Sequence, residues 1–431
     1  MVAVPAVGPI RYGGPVNESP RPASSAWRRI VAAYWITQLV ETMGMSQVFA
    51  LLPKHLLELG VPEADRIAFV GLFSSLVFVL GLPLVPLWGV WADKYSRKAV
   101  IVRSAVVEAV VFTLVAVAQQ PWQVAVALML VGLQLGNTGV MLAGIRDVAP
   151  KGRLGATIAL FGSASPVGFA LGPIVAALLI DGVGLPIAGV YVLAAMLSVG
   201  TALLVGLGTP EIRPEVVPVG PVLRLAFGAV RGVLADRDVR RLFIVYGVVF
   251  LANQISRPYT PLLVEQLVGT GAGLASGIAA VVGLGSLIGA LAAPLAGWAG
   301  DKVGYRPVLL GALAAGAVAS LLMPFMPAVV ALAAASVLLG AAVATVGAMV
   351  FSLLATEVPP DRRSATLNLV YLPLYVAGIA GPATGSVLAA TVGLAGPYLA
   401  GCAVFILGAV VILRHKVRAV GEVEPSVAPI L

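Results

Sequence analysis

The order of apolar and polar residues along this chain predicts membrane-spanning helices. Long apolar stretches recur throughout, and short segments rich in charge, proline or glycine separate them. A hydrocarbon core of about 30 Å requires about 20 apolar residues in a helix, whereas a spanning β-strand alternates apolar and polar positions. Stretches such as AVVEAVVFTLVAVA do not alternate. The pattern therefore predicts an all-α membrane protein with twelve transmembrane helices, at 29–52, 68–90, 98–117, 122–145, 153–180, 186–207, 240–264, 274–298, 306–326, 328–353, 363–391 and 395–414.

The second half of the chain repeats the first. At a shift of 208 residues, Pro53 meets Pro261 and Asp93-Lys94 meets Asp301-Lys302. At a shift of 209, Gly172-Pro173 meets Gly381-Pro382. Matching pairs at a nearly constant offset indicate an internal duplication. The chain is therefore predicted to form two parallel pseudo-repeated six-helix bundles, residues 29–207 and 240–414, joined by a linker at 208–239.

The charge distribution predicts the orientation of these helices. Only 11% of the 431 residues are charged, 60% are hydrophobic, and the mean hydropathy is +1.02. With the N-terminus inside, all Lys and Arg residues fall on inner tails, loops or span ends, except Lys54, Arg66, Arg103 and Arg257. This positive-inside bias places both termini in the cytoplasm. The net charge of +8 then reflects topology in a multi-pass cell-membrane protein and does not indicate nucleic-acid binding.

The segments outside the bundles are polar. Residues 1–28, rich in Pro, Gly and Ser, are predicted to be a disordered cytoplasmic tail, and 415–431 a second cytoplasmic tail. In the linker, the apolar residues Leu223, Phe227, Val230 and Leu234 share one helical face. This predicts an amphipathic helix on the inner leaflet, with a solvated connector as the alternative.

Two charged turns carry the most specific motif of the chain. The first reads Gly89-x-x-x-Asp93-Lys94-x-Ser96-Arg97-Lys98, and the second Gly297-x-x-x-Asp301-Lys302-x-Gly304-x-Arg306. The first resembles the loop signature of the major facilitator superfamily, in which the position of Ser96 is usually Gly. That resemblance implies rocker-switch alternating access, with a binding cavity near the midplane between the two halves.

The charges of the first turn suggest a conformational latch. Asp93 could pair with the basic residues that follow it, or face the positive N-terminal end of a helix from the other half, for which span 11 near Ser364 is the candidate. Gly89 would let two helices approach closely. The alternative is a topology anchor, which would require only Lys and Arg.

Span 5 narrows the resemblance, and span 4 departs from it. Gly168-x-x-x-Gly172-Pro173 looks like the span-5 motif of bacterial drug:proton antiporters of this superfamily, although packing of small residues is the alternative interpretation. Such exporters often carry an Arg in span 4, where this chain has Gly132. Proton coupling would then depend on other residues.

Ionisable residues within spans are the candidates for coupling, because charge is expensive there. Glu41 lies in the middle of span 1, on one stripe with Gln38 and Met45. We expect Glu41 to be the main proton carrier, with a structural acid bonded to a neighbouring helix as the alternative. Glu108 in span 3 is the second candidate, and it could equally pair with a structural partner.

Polar residues of other spans are candidates for the cavity lining. Arg257 in span 7, beside Asn253 and Gln254, could bind an anionic group, balance Glu41, or serve as a gate or snorkelling residue. Arg103 is expected to snorkel or to join the charges of the first turn. The uncharged candidates are Gln134, Asn137, Asn368, Tyr371 and Tyr375, for which polar bonds between helices are an equally good account.

Together these features predict a monomeric secondary transporter that exports amphipathic drug-like molecules in exchange for protons. Its partners would be a small-molecule substrate, protons and the lipid bilayer. The alternative within the fold is a transporter of a defined solute such as a sugar, lipid or metabolite. No GxxxxGK[ST] motif, nucleophile–base constellation or metal-ligand cluster is present in the sequence, so we expect neither an ATP-driven pump nor an enzyme, and no cofactor beyond the proton gradient. The single Cys402 excludes an internal disulfide.

Overall fold

The structure is a computed structural model that describes residues 26–214, 217–235, 237–357 and 372–414. Every regular element in these ranges is a helix. The first half contains α1 (Ala26–Glu58), α2 (Glu63–Val79), α3 (Gly81–Lys94), α4 (Arg97–Val117), α5 (Pro121–Leu130), α6 (Asn137–Val148), α7 (Leu154–Ala177) and α8 (Ile187–Gly208). After the linker helix α9 (Val222–Ala235), the second half contains α10 (Arg237–Ser256), α11 (Thr260–Val268), α12 (Leu274–Ile278), α13 (Leu284–Val303), α14 (Tyr305–Leu322), α15 (Val329–Glu357), α16 (Leu372–Val392) and α17 (Ala395–Arg414).

Ten helical segments of the described ranges are long and apolar enough to cross a membrane. They correspond to ten of the twelve predicted spans. The other two, 29–52 and 240–264, lie in α1 and in the consecutive helices α10 and α11, which are helical but are not among the ten. The all-helical membrane fold is confirmed, and the count of twelve stays a prediction. The first residues of predicted span 11, with Ser364, lie outside the described residues.

Several spans consist of two helices in sequence. A 3₁₀ turn at Val131–Leu133, followed by Gly136 with φ +100°, separates α5 from α6. A second 3₁₀ turn, Arg257–Tyr259, separates α10 from α11. Proline supplies no N–H and left-handed backbone favours glycine, so Pro258 and Gly136 account for these interruptions. Each break places a polar side chain, Gln134 or Arg257, inside a span.

The linker forms the predicted helix. Ala226 of α9 is fully buried against the protein, whereas Leu223 and Phe227 are 62% and 48% exposed. The exposed apolar side chains are those that would meet a membrane surface, so contact with the inner leaflet remains a prediction.

The two halves contact each other at one end of the bundle. We call this the outer end; it holds the α1–α2 turn (59–62) and the α11–α12 turn (269–273), which the charge bias predicts to face outside. The opposite, inner end holds the charged turns of the loop motif.

Candidate functional site

Two buried carboxylates lie within the first half. Glu41 of α1 is 8% exposed, and Asn137 Nδ2 at the start of α6 donates to its Oε2 at 2.6 Å. Glu108 of α4 is 2% exposed and accepts a hydrogen bond from Ser198 Oγ of α8 at 3.1 Å. The side chain of Gln134 lies against both carboxyl groups. We call Glu41, Glu108, Gln134, Asn137 and Ser198 the acid cluster.

Some oxygen atoms of the acid cluster lack partners. Glu108 Oε1 and Gln134 Oε1 are buried without a hydrogen bond to any described residue. A Cβ added at Gly44 would lie 3.6 Å from Glu108 Oε1, so this oxygen faces α1 about one turn from Glu41. Buried polar atoms are normally hydrogen-bonded, and of these two oxygens the carboxylate oxygen of Glu108 is the one that could accept a proton.

The structure explains the glycine in span 4. A Cβ at Gly132 would lie 2.5 Å from the backbone nitrogen of Gly81, so this position has no room for a side chain. A cation reaches the region from α4 instead. Arg103 Nη2 donates to the carbonyls of Gln134 and Leu135 at 3.1 and 3.3 Å, and its guanidinium lies 3.6 Å from the Trp88 ring centroid. Arg103 therefore neither snorkels nor joins the loop motif, and that expectation was wrong.

The remaining candidates of span 1 face their own half. Gln38 Oε1 accepts a hydrogen bond from Thr138 Oγ1 at 2.9 Å, and Met45 is buried in the apolar core. Gln38 therefore makes a hydrogen bond between the helices of span 1 and span 4.

The candidates of the second half lie apart from the acid cluster. Arg257 lies in the 3₁₀ turn of span 7, and the Cβ of Gln254 would be 2.7 Å from a Cβ at Gly381 of α16. Asn253 lies next to Gln254 in α10 and is half-buried. Tyr375 is buried, with its ring centroid 5.9 Å from that of Phe78 in the first half. Asn368 and Tyr371 lie outside the described residues.

The first loop motif forms an ion cluster at the inner end. Arg97 is 1% exposed and donates to Asp93 Oδ1 through Nε at 2.9 Å and to Asp147 Oδ2 through Nη1 at 2.5 Å. This confirms the expectation that Asp93 pairs with a following basic residue. A Cβ at Gly89 would meet no atom within 4 Å among the described residues, so the close helix approach expected there stays a prediction.

Glu211, which sequence reasoning missed, completes this cluster. Its carboxylate accepts hydrogen bonds from Ser96 Oγ at 2.5 Å and from the backbone nitrogens of Arg97 and Lys98 at 3.0 and 3.4 Å. Ser96 itself caps α4. A carboxylate at a helix N-terminus is stabilised by free N–H groups and by the helix dipole. The lysines bind carbonyls, Lys94 at Gly220 and Lys98 at Thr209, so the motif ties the first half to the linker.

The second loop motif makes different contacts. Asp301 accepts a hydrogen bond from the Tyr305 hydroxyl at 2.7 Å, and Lys302 Nζ lies 3.9 Å from the Trp298 ring centroid. Arg306 donates to the last carbonyls of α17, at Ile412 and Leu413. Gly297 has open space around it in the described structure. The two copies are therefore not equivalent in structure.

The span-5 motif packs α7 on α1. A Cβ at Gly168 would lie 2.6 Å from the carbonyl oxygen of Leu39, and one at Gly172 would lie 2.5 Å from that of Met43. Pro173 is buried beside them in α7. Helix packing by small residues is thus what these glycines do in this conformation.

An ion pair joins the halves at the outer end. Arg66 Nη2 of α2 lies 2.6 Å from Glu265 Oε1 of α11, and the side chains are 3% and 11% exposed. In the sequence, Arg66 stands out only as an exception to the positive-inside bias, because it lies in a loop predicted to be outside. That exception was the one sign that Arg66 has a special role.

Further hydrogen bonds between the halves lie toward the same end. They run from Ser75 Oγ to the Ile379 carbonyl at 3.0 Å, from Ser386 Oγ to the Ala68 carbonyl at 2.9 Å, and from Ser276 N and Oγ to Asp181 Oδ2 at 2.8 and 2.6 Å. We call this set, with Arg66–Glu265, the outer interface.

Comparison with known proteins agrees with this architecture. The family model of the Major Facilitator Superfamily matches residues 30–290 and 242–429. The Multidrug resistance protein MdtG of Salmonella typhi is 30% identical over 330 residues, covering 75% of this chain and 80% of that protein. MdtG of Enterobacter lignolyticus is 28% identical over 396 residues, 91% of each chain. The crystal structure of a bacterial homolog to human lysosomal transporter Spinster, in inward-facing and occupied conformation, matches with a TM-score of 0.74 at 14% identity, over 91% of this chain and 97% of that one.

Proposed function

Because this chain belongs to the major facilitator superfamily, we propose that it exports amphipathic drug-like molecules across the cell membrane in exchange for protons. Relatives that share about 30% of their residues with it over most of their length carry the name multidrug resistance protein. The observation that carries the coupling is the acid cluster, a pair of buried carboxylates without a basic partner at hydrogen-bond distance among the described residues.

In this proposal Glu41 carries the proton. Asn137 Nδ2 donates to Glu41 Oε2, and a proton can occupy the other oxygen without breaking that bond. The contact between spans 1 and 4 therefore persists in both protonation states. Glu108 extends the cluster with an oxygen that has no partner in the described structure.

Alternating access supplies the movement. The halves touch at the outer interface, which corresponds to a state closed outside and open to the cytoplasm under the predicted orientation. Opening the outer side requires Arg66–Glu265 to separate, and the inner ends, including the loop motifs, to close. No cofactor takes part, and the proton gradient supplies the energy.

Transport in liposomes tests the coupling. The purified protein is reconstituted and a panel of amphipathic compounds is offered under an imposed pH gradient. Glu41→Gln should abolish accumulation driven by the gradient while preserving counterflow, the exchange of labelled for unlabelled compound, because counterflow needs no net proton movement. The matched control is Glu63→Gln, which removes an exposed carboxylate from the outer end of α2. Accumulation by Glu41→Gln at the wild-type rate would contradict the proton role, and transport of a single compound of the panel would contradict the drug-like range.

A further inference from the structure

Arg257 differs from the other described arginines whose side chains are buried or half-buried. Arg66 and Arg97 are paired with carboxylates, and Arg103 and Arg306 bind backbone carbonyls. Arg257 makes no hydrogen bond or ion pair with any residue that the structure describes. Its guanidinium instead lies between two aromatic rings of the first half, 5.4 Å from the centroid of Phe49 and 4.5 Å from that of Phe169.

The internal repeat places this group on the central axis of the molecule. The shift of 208 residues that relates the halves pairs Arg257 with Phe49, and these two side chains touch. Symmetry-equivalent positions can contact each other only close to the axis that relates them. Arg257 therefore lies in the middle of the interface between the halves, where transporters built from repeats bind substrate.

The backbone around Arg257 is firmly held. Arg257–Tyr259 form a 3₁₀ turn that contains Pro258, and Pro261 follows at the start of α11. The Tyr259 hydroxyl donates to the Pro382 carbonyl at 3.3 Å, and Thr260 hydrogen-bonds Tyr398 at 3.0 Å. A guanidinium on such a support is preorganised for a ligand, since little order is lost when it binds.

We propose that Arg257 binds the anionic head of an amphipathic substrate whose apolar body lies along Phe49 and Phe169. A guanidinium presents a planar fork of N–H donors that matches carboxylate, sulfonate and phosphate groups. A cation without a counter-charge inside a span is unfavourable, and an anionic ligand would remove that cost. This proposal rests on the proposed function, because it assigns the class of substrate for the same transporter.

Equilibrium binding to the purified protein, measured without any gradient, tests the site. The probes are three bicyclic aromatic compounds of similar size: the anion naphthalene-2-sulfonate, the cation N-methylquinolinium and neutral 2-naphthalenemethanol. The wild type should bind the anion at least about tenfold more tightly than the other two. Arg257→Gln should remove that preference, and Arg257→Lys should retain part of it. The retained binding of Arg257→Lys would show that the loss in Arg257→Gln is not a folding defect.

Two controls define the site further. Arg231→Gln removes the same charge from an exposed position of α9 and should leave anion binding unchanged. Phe169→Leu should weaken naphthalene-2-sulfonate but not methanesulfonate, because only the first has a ring to pack. The proposal is overturned if the wild type binds the anion no better than the cation, or if Arg257→Gln binds the anion normally. It is also overturned if sodium sulfate displaces the anion at equal concentration, which would indicate an inorganic anion site.

Failure of this proposal is distinguishable from failure of the proposed function. If gradient-driven transport is absent while Arg257-dependent anion binding persists, proton exchange is wrong and the site stands. If cations alone are transported against protons and anion binding is independent of Arg257, the exporter stands and the site is wrong.

Discussion

At the scale of single residues, α7 carries two kinds of glycine. Gly172 lies against α1, where a Cβ would be 2.5 Å from the Met43 carbonyl oxygen, whereas a Cβ at Gly162 would have no described neighbour within 4 Å. Within a regular helix such as α7, glycine is required where two backbones approach closely. The same residue type on one helix therefore has a structural role at one position and none at the other.

Substitution by alanine should separate the two glycines. Gly172→Ala forces α7 away from α1 and should destabilise the protein by roughly 1–3 kcal/mol, as overpacking does. Gly162→Ala, the matched control, should leave stability unchanged or slightly higher. The measurement is the thermal unfolding midpoint of the purified protein in detergent. Equal midpoints for the two variants would mean that the helices can separate at no cost.

Sequence reasoning identified some residues of the acid cluster and missed others. Glu41 and Asn137 were predicted because a carboxylate or an amide is rare in an apolar span. Ser198 gave no signal, since serine is common in membrane helices and often bonds its own backbone. Outside the acid cluster, Glu211 at the inner end was also missed, because it lies in a polar linker where one more carboxylate does not stand out. Rarity within a segment, more than residue type, made a member of the candidate site predictable.

At the scale of elements, the N-terminus of α4 is the junction of the inner end. Asp93 and Asp147 hold the buried Arg97 from two other helices, and Glu211 holds the first N–H groups of α4. Two other helices of the first half and the linker therefore meet at the N-terminus of α4. A change in the loop motif should act on their mutual positions.

We expect Asp93→Asn to impair transport without affecting membrane insertion. The substitution leaves the buried Arg97 with one carboxylate, a loss of roughly 1–3 kcal/mol, and transport should fall by about tenfold. Insertion should stay normal because Lys94, Arg97 and Lys98 maintain the topology. Transport rate and the amount of protein in the membrane are measured in parallel.

The exposed Asp65 at the outer end of α2 gives the matched control. Asp65→Asn removes the same charge on the same span and should transport normally. Full activity of Asp93→Asn would reduce the loop motif to a topology anchor.

The breaks within elements were the least predictable part of the fold. Spans 4 and 7 were predicted as continuous, because hydropathy registers apolar content and not backbone continuity. The local signals were present in the Leu-Gly-Asn sequence before α6 and in Arg257-Pro258. Proline and glycine are also common within unbroken membrane helices, so neither signal decides the question without the surrounding packing.

At the scale of the whole molecule, the outer interface joins the two halves through side-chain contacts. Two of its contacts are hydroxyl-to-carbonyl hydrogen bonds, two join Ser276 to the Asp181 carboxylate, and Arg66–Glu265 is the ion pair among those described. The helical membrane fold and its internal repeat could be predicted from the sequence, whereas the orientation of the helices in the membrane stays a prediction. The conformation could not, because hydropathy and an internal repeat carry no information on which ends of the two halves are in contact.

Glu265→Gln should shift the protein toward an outward-open state. It leaves Arg66 buried without its counter-charge, which costs roughly 3–5 kcal/mol in the closed state and is relieved when water enters. Spin labels on Ala64→Cys and Val268→Cys, two exposed outer positions, in a Cys402→Ala background would report longer distances. The charge exchange Arg66→Glu with Glu265→Arg should restore the short distance.

The pair Lys54–Glu58 supplies the control for this experiment. It lies at the same end, 3.1 Å apart, but the Glu58 side chain is 46% exposed. Glu58→Gln should therefore change little, because exposed pairs contribute about 0–1 kcal/mol. A distance distribution for Glu265→Gln identical to that of Glu58→Gln would show that the ion pair does not hold the outer end closed.

The contact between Arg257 and Phe49 has a consequence for the origin of the chain. Two identical halves, assembled as a dimer, would bring two copies of one residue together on their axis. Two arginines there would repel each other, and two phenylalanines would carry no charge. A single cation facing a ring is available only once the two halves differ in sequence. The asymmetry at this point therefore reflects divergence of the two halves, and a dimer of identical halves could not have had it.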